Sequence, residues 1–171
     1  MNLQYQHLLP QDFFSGSRVW IYQSSRQFSM GEALDIEDKL QAFTTEWQAH
    51  GASIKAYANL FFGRFIVLMA DESRTTVSGC STDSSVRFIK SLGQTYGIDF
   101  FNRQHLAFVV KDKIEVLPMN QLSYAFENGF LKGDTLYFNN LADTKQQLEA
   151  NWIVPVKDSW LAAKLKVSTQ P

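Results

Sequence analysis

The N-terminal part of the chain combines an extended pattern with a helical one. Aromatic and β-branched residues fill Arg18–Ser25, which predicts a β-strand. Ser29 and Glu32 then have the spacing of a capping box, in which the serine hydroxyl and the glutamate carboxylate each accept a backbone amide. Behind this box, apolar residues recur every three or four positions, at Ile36, Leu40, Phe43 and Trp47. We therefore predict an α-helix from Ser29 to His50, with Gly51 as its left-handed C-cap.

Two extended runs follow between Ser53 and Asp71. A turn at Asn59 or Gly63 joins them into a predicted β-hairpin. The second run, Arg64–Ala70, is apolar except for its first residue, as expected of a strand buried on both faces. This run is the predicted central strand of a sheet.

The remaining pattern adds a second helix and a second hairpin. Asp83 or Ser84 is the predicted N-cap of the helix and Gly97 its C-cap, with a buried face of Val86, Ile89, Leu92 and Tyr96. The later predicted elements are strands Leu106–Val110 and Ile114–Leu117 around a turn at Lys111–Lys113, helix Pro118–Asn128, strand Thr135–Phe138 and helix Asp143–Trp152.

The order of these elements predicts the fold class. The series strand, helix, strand, strand, helix, strand is that of ferredoxin-like domains. The chain contains no internal repeat, low-complexity stretch or linker. We predict a single globular α+β domain over residues 1–171, with a ferredoxin-like βαββαβ beginning and a mostly antiparallel sheet with helices packed on one face.

Composition narrows the classes of function. The 171 residues are 45% apolar and include 14 phenylalanines, enough to fill a core. The net charge of −1 gives no excess of basic residues for phosphate contacts, so we expect no nucleic-acid partner. The N-terminus lacks a secretory signal pattern and no apolar run is long enough for a bilayer, so we expect a soluble cytoplasmic protein with no membrane partner. One cysteine and three scattered histidines predict neither a metal site nor a cofactor.

The segment Phe65–Glu72 has the look of a Walker B strand, because an apolar run ends in adjacent acids, Asp71 and Glu72. A nucleotide site also needs a glycine-rich loop followed by Lys and Ser or Thr, which cradles the phosphates. The sequence lacks that P-loop, since neither Gly93 nor Gly97 is followed by a lysine. ATPase activity is therefore not expected.

Four segments together resemble a family of small uncharacterised bacterial proteins, many of which carry the label "ABC transporter ATPase" although they lack a Walker A motif. The segments are Arg18–Ser24, Ser78–Val86, Phe138–Leu141 and Trp152–Val156. The resemblance covers most of the chain, from about Arg18 to Trp160. It implies no established activity and no catalytic residue.

Cys80 is the candidate nucleophile. It precedes the predicted second helix, where the helix dipole and free amides favour a thiolate. Asp83 would support it, and His50 or His105 would supply the base. The alternative is a packed structural thiol, since free cysteines are often buried. The same loop is a candidate site for a small anion, held by backbone amides around Ser78, Gly79, Ser81, Ser84 and Ser85 and by the serine hydroxyls, with ordinary loop and cap chemistry as the alternative.

Adjacent phenylalanines occur three times, at Phe13–Phe14, Phe61–Phe62 and Phe100–Phe101. Neighbouring side chains of a strand point to opposite faces, so one member of a pair is expected to reach the surface or a partner. A nearly neutral surface also promotes self-association. We therefore predict a homodimer.

The favoured function is a non-enzymatic cytoplasmic binding or interaction domain with an unknown protein or small-molecule partner. This interpretation depends on what the sequence lacks: clustered acids, metal ligands, a phosphate loop and a basic patch. Two alternatives stay open. One is a small thiol-dependent enzyme that uses Cys80, and the other is small-anion binding at the Ser78–Ser85 loop.

Overall fold

The computed structural model describes residues 1–165, which form nine β-strands and five α-helices. The strands are β1 (Arg18–Gln23), β2 (Gln48–Ala49), β3 (Ala52–Ser53), β4 (Lys55–Phe61), β5 (Phe65–Asp71), β6 (His105–Val110), β7 (Lys113–Pro118), β8 (Leu136–Phe138) and β9 (Ile153–Pro155). The helices are α1 (Met30–Glu46), α2 (Gly79–Tyr96), α3 (Leu122–Glu127), α4 (Lys145–Asn151) and α5 (Leu161–Leu165). All strand pairs in these residues are antiparallel, which confirms the α+β class.

The chain divides into two compact units. The larger unit comprises Gln4–Phe101 and Ala142–Glu149, and the smaller unit comprises Met1–Leu3, Asn102–Leu141 and the described residues from 150 to 165. Each unit has its own sheet and its own cluster of buried apolar side chains. The single domain over residues 1–171 stays a prediction.

The sheet of the larger unit has the strand order β1–β5–β4. Every residue of β5 is buried, which confirms the central strand predicted from this apolar run. Ile66 and Leu68 of β5 pack in one cluster with residues of α1 and α2, so both helices cover the same face of the sheet. The hairpin of β4 and β5 turns over the three residues 62–64, between the paired Phe61 and Phe65, and Phe62 and Gly63 have positive φ.

The start of α1 is as predicted, but its end is not. The Ser29 hydroxyl accepts the amide of Glu32 at 3.3 Å, and the Glu32 carboxylate accepts the amide of Ser29 at 2.8 Å, which completes the capping box. The helix ends four residues before His50, because Trp47 takes an extended backbone and buries its ring. His50 and Gly51, both with positive φ, form the turn between β2 and β3 instead of a C-cap.

The ferredoxin-like beginning is not confirmed. The first three long strands have the required order, since β5 lies between β1 and β4. The strand after α2 does not join them, because β6 pairs with β7 and β8 in the sheet of the smaller unit. The outer edge of β1, where a fourth strand would pair, is taken by the segment before α4. There Val19 N–H donates to the Asp143 carbonyl and Lys145 N–H to the Ser17 carbonyl, both at 2.8 Å.

The sheet of the smaller unit has the strand order β7–β6–β8–β9. The hairpin of β6 and β7 is confirmed, but its turn has two residues rather than three, Lys111 and Asp112, both with positive φ. Phe108 and Tyr137 of this sheet pack in one buried cluster with residues of α3 and α5. The helices of this unit therefore also cover one face of their sheet.

Candidate functional site

The N-terminal end of α2 contains the predicted nucleophile and the predicted anion-binding loop. Ser78 has the extended backbone of an N-cap, with φ −82° and ψ 168°, and its hydroxyl accepts the amide of Ser81 at 3.2 Å. The helix begins at Gly79 as a result, so the prediction of Asp83 or Ser84 as its cap is wrong. Most of the predicted loop is helical.

The serine hydroxyls of this segment are occupied by bonds within the protein. Ser81 Oγ lies 2.7 Å from Ser78 Oγ and donates to the Gln48 carbonyl at 2.9 Å. The hydroxyls of Ser84 and Ser85 donate, each at 2.7 Å, to carbonyls three residues earlier in the helix. These side chains fix the first turns of α2 and attach them to β2. The anion hypothesis therefore loses its hydroxyl ligands.

Cys80 is exposed in the first turn of α2, so it is not a packed core thiol. Within the described residues, the side chains of Cys80, Asp83 and His50 make no hydrogen bond or ion pair. His105 is half-buried on β6 and belongs to the smaller unit. The structure thus places the thiol at the surface without a hydrogen-bonded base.

The acids of the Walker B-like strand are bound by the protein itself. Asp71 is 3% exposed, accepts the amides of Phe14 at 3.4 Å and Ser73 at 3.0 Å, and lies 3.2 Å from the Lys55 ammonium. Burial by itself raises the pKa of Asp71, but the bonds from Ser73, Lys55 and Phe14 outweigh it and lower this pKa to about 2. Glu72 accepts an amide five residues further on at 2.8 Å. Both carboxylates fix the course of the chain.

The histidines are as scattered in the fold as in the sequence. His7 lies in a short 3₁₀ helix, His50 in the turn between β2 and β3, and His105 on β6. Among residues 1–165, no three His, Cys, Asp or Glu side chains are grouped so that they could hold a metal ion. In the same residues, no helix has both the length and the apolar character needed to cross a bilayer.

An open groove of about 390 Å³ lies beside the C-terminal half of α2, and we take it as the candidate site. Its floor consists of the buried apolar side chains Ile89, Ile98 and Phe100. Its exposed rim includes Lys90 and Phe101. The groove therefore combines apolar surface with a cation at its mouth.

The rim of the groove has a defined geometry. The Lys90 ammonium lies 5.9 Å from the centre of the Phe101 ring, within the range of a cation–π contact. Phe101 also packs edge-on against Tyr22, with the two ring centres 5.6 Å apart. Asp99 lines the groove too, and its carboxylate accepts the amide of Phe101 at 2.8 Å, which fixes this turn. Lys90 forms no ion pair with any described residue, so its charge is available to a ligand.

Two glycines shape the groove. A Cβ on Gly93 would lie 2.6 Å from the carbonyl oxygen of Ile98, so only glycine lets the chain pass this close to α2. Gly97, with φ 65°, ends α2 as predicted and turns the chain back. No groove residue belongs to a site predicted from the sequence. The available signal is the glycine pair before Phe100 and Phe101, but spacing alone does not reveal that the chain folds back there.

The phenylalanine pairs divide between core and surface as predicted. The first member of each pair is buried: Phe13 at 9%, Phe61 at 2% and Phe100 at 5% exposed. The second member is more accessible: Phe14 at 60% and Phe101 at 39% exposed, and Phe62 half-buried. One of these accessible rings, Phe101, forms part of the groove.

Comparisons with protein-family models, curated proteins and solved structures find no match to this chain. The resemblance to the family labelled "ABC transporter ATPase" stays a prediction. The candidate site is therefore assigned from geometry alone.

Proposed function

We propose that the protein is a non-enzymatic cytoplasmic binding domain, and that the groove beside α2 binds a small molecule with an apolar body and a carboxylate. One observation carries the proposal: the Lys90 ammonium lies at the exposed rim of an apolar groove and forms no ion pair with any described residue. The groove supplies the affinity and the lysine supplies the selectivity for charge.

The size and lining of the groove support this ligand class. About 390 Å³ falls within the range of roughly 300–1,000 Å³ that is usual for small-molecule sites. An apolar body that covers Ile89, Ile98 and Phe100 removes apolar surface from water, at about 25 cal/mol per Å². A flat or aromatic body would also stack against Phe101.

Lys90 favours an acid over a neutral or basic analogue. An ammonium and a carboxylate form a charge-assisted hydrogen bond, which is stronger than a bond between neutral groups. An alcohol of the same shape keeps the apolar contacts and loses the charge pairing. An amine of the same shape is repelled by Lys90.

Native mass spectrometry on gently purified protein is the first test, because it shows whether a ligand of this class is retained. Titrations followed by NMR then compare 3-phenylpropionate and octanoate with 3-phenylpropanol and octylamine. We expect the acids to bind about tenfold more tightly than the alcohol, which corresponds to about 1.4 kcal/mol. Lys90→Met removes this preference, whereas the control Lys132→Met, at an exposed lysine of the smaller unit, keeps it. Equal binding of acid and alcohol by the unmodified protein would refute the proposal.

A thiol-dependent enzyme is the second candidate, and the exposure of Cys80 in the first turn of α2 favours it. A helix N-terminus stabilises a thiolate, so a nucleophilic cysteine there is alkylated quickly. Iodoacetamide at pH 6 separates the two candidates. Reaction far faster than that of free cysteine supports the enzyme, and reaction at the rate of free cysteine removes it.

A further inference from the structure

Strand β7 has backbone groups that point away from its sheet. Met119 N–H donates to the Gln104 carbonyl at 2.7 Å, which identifies a hydrogen-bonded pair at one end of the β6–β7 ladder. Bonded pairs alternate along an antiparallel ladder. The register of the two strands therefore directs the backbone groups of alternate residues towards β6: Lys113, Glu115 and Leu117. The N–H and C=O groups of Ile114 and Val116 point outward.

These outward groups have no hydrogen-bond partner among the described residues. Within residues 1–165, no hydrogen bond is made to the backbone N–H or C=O of Ile114 or Val116. Their side chains are half-buried and lie on one face of the strand, while Lys113 and Glu115 are exposed on the other. This edge has the features of a template for another strand.

The other sheet edges are covered in part. The segment before α4 covers the start of β1. At the two ends of β4, the Trp47 carbonyl accepts Ile54 N–H at 3.1 Å and the Asn59 side chain accepts Leu60 N–H at 2.9 Å. On β9, Pro155 has no N–H to offer a neighbouring strand. These contacts restrict strand addition at the start of β1, at the ends of β4 and on β9, whereas none of the described residues makes such a contact at Ile114 or Val116.

We propose that β7 pairs with β7 of a second copy of the chain, antiparallel and around a two-fold axis. In this pairing Ile114 lies opposite the partner's Val116 and Val116 opposite the partner's Ile114. The outward N–H and C=O groups of both residues are then all used, in four hydrogen bonds across the axis. The apolar side chains of the two copies also come side by side on one face of a continuous sheet.

The charges beside the edge determine how strong this dimer is. Glu115 lies on the axis, directly opposite the partner's Glu115, and like charges in that position weaken the pairing. Each Glu115 is also diagonal to the partner's Lys113, within reach of a long side chain, and this contact offsets part of the repulsion. We expect a dimer that forms at tens of micromolar and dissociates on dilution. The proposal is independent of the groove beside α2.

Sedimentation velocity from 1 to 100 µM tests the dimer, with Val116→Pro as the decisive variant. Proline removes only the N–H that points away from β6, so the β6–β7 ladder is kept and the dimer is lost. Val116→Ala keeps that N–H and is the matched control, which we expect to remain dimeric. Glu115→Thr removes the like charges at the axis and is expected to lower the dissociation constant about threefold or more.

Hydrogen exchange keeps the proposal testable if Val116→Pro does not fold. In the unmodified protein, the amides of Ile114 and Val116 should exchange more slowly at 100 µM than at 1 µM. The amide of Glu115, bonded to β6 in both states, should not change in the same way. A monomer at 100 µM, a Val116→Pro variant that dimerises as well as the unmodified protein, or exchange at Ile114 that does not depend on concentration would each overturn the proposal.

Discussion

The sheet of the larger unit is covered along part of its edges by the protein's own groups, whereas the sheet of the smaller unit keeps the edge of β7 open. Backbone from the segment before α4 pairs with β1, and the Asn59 side chain accepts the Leu60 amide on β4. On β7, Ile114 and Val116 have no such cover among the described residues. The difference indicates that internal bonds limit strand addition along part of the larger unit's sheet edges, and that β7 of the smaller unit has backbone groups available for a partner.

Charged and polar side chains of β4 and β7 differ in the same way. In the larger unit, Lys55 donates to the Asp12 carbonyl at 2.6 Å, and the Tyr57 hydroxyl donates to the Leu8 carbonyl at 2.8 Å. Both bonds tie the N-terminal segment to β4. In the smaller unit, Lys113 and Glu115 of β7 are exposed and form no ion pair with the described residues. We expect the internal bonds of the larger unit to contribute measurably to the free energy of unfolding.

The largest expected effect is that of Asp71→Ala. The change leaves the Lys55 ammonium and two backbone amides without their buried acceptor, so it should lower the free energy of unfolding by about 3 kcal/mol. The control is Asp12→Ala, because the Asp12 carboxylate lies 3.0 Å from the same ammonium but is 75% exposed. It should cost far less, because water screens an exposed ion pair. Urea denaturation at pH 7 measures both, and equal losses would contradict the internal role of Asp71.

The next effect is a loss of stability in acid. The pKa of Asp71 is about 2 in the folded protein and about 3.9 in an unfolded chain, so the unfolded state binds the proton more readily. The stabilisation is complete above about pH 4 and is lost as the pH falls towards 2, on the order of 2 kcal/mol. Asp71→Asn lacks this titration. Its unfolding free energy should therefore approach that of the unmodified protein between pH 5 and pH 2, and parallel curves would refute the assignment.

The smallest effect on stability is expected at Asn59, whose side chain accepts the Leu60 amide at the edge of β4. Asn59→Ala removes the acceptor of the Leu60 amide and should cost about 0.5–1 kcal/mol. Asn59→Asp loses the contact from the Asn59 amide group to the Tyr57 hydroxyl but keeps an acceptor for Leu60. Hydrogen exchange at Leu60 should accelerate in the alanine variant and not in the aspartate variant. Equal exchange in both would show that Asn59 does not protect this edge.

Local patterns in the sequence predicted the elements whose causes are local. The Ser29 and Glu32 capping box, the apolar run of β5 and the left-handed Gly97 were all correct, because each depends on neighbouring residues. The end of α1 was not, because burial of the Trp47 ring and its bond to the Ser81 carbonyl draw the backbone out of the helix. The helix propensity of the segment contains no information about that distant carbonyl.

The candidate site shows the same limit. Each phenylalanine pair divides into a buried and a more accessible ring, but strand geometry is not the reason, because no pair lies within a strand. The groove itself did not follow from the sequence, because it forms only when Ile98 folds back onto the helix at Gly93. The sequence predicts the helix cap at Asp83 or Ser84, whereas Ser78 is the cap, because several hydroxyls in this segment can fill that role.

The sequence by itself determined the α+β class, the central strand and the two main hairpins, since periodicity and capping chemistry act over a few residues. Tertiary structure alone decided which strands share a sheet, which polar groups are already occupied and which remain free. The bond from Val19 to Asp143 occupies the start of the β1 edge, and the bonds to Asp71 occupy the acid of the Walker B-like motif. These outcomes depend on contacts between residues far apart in the chain, whose pairing no local pattern specifies.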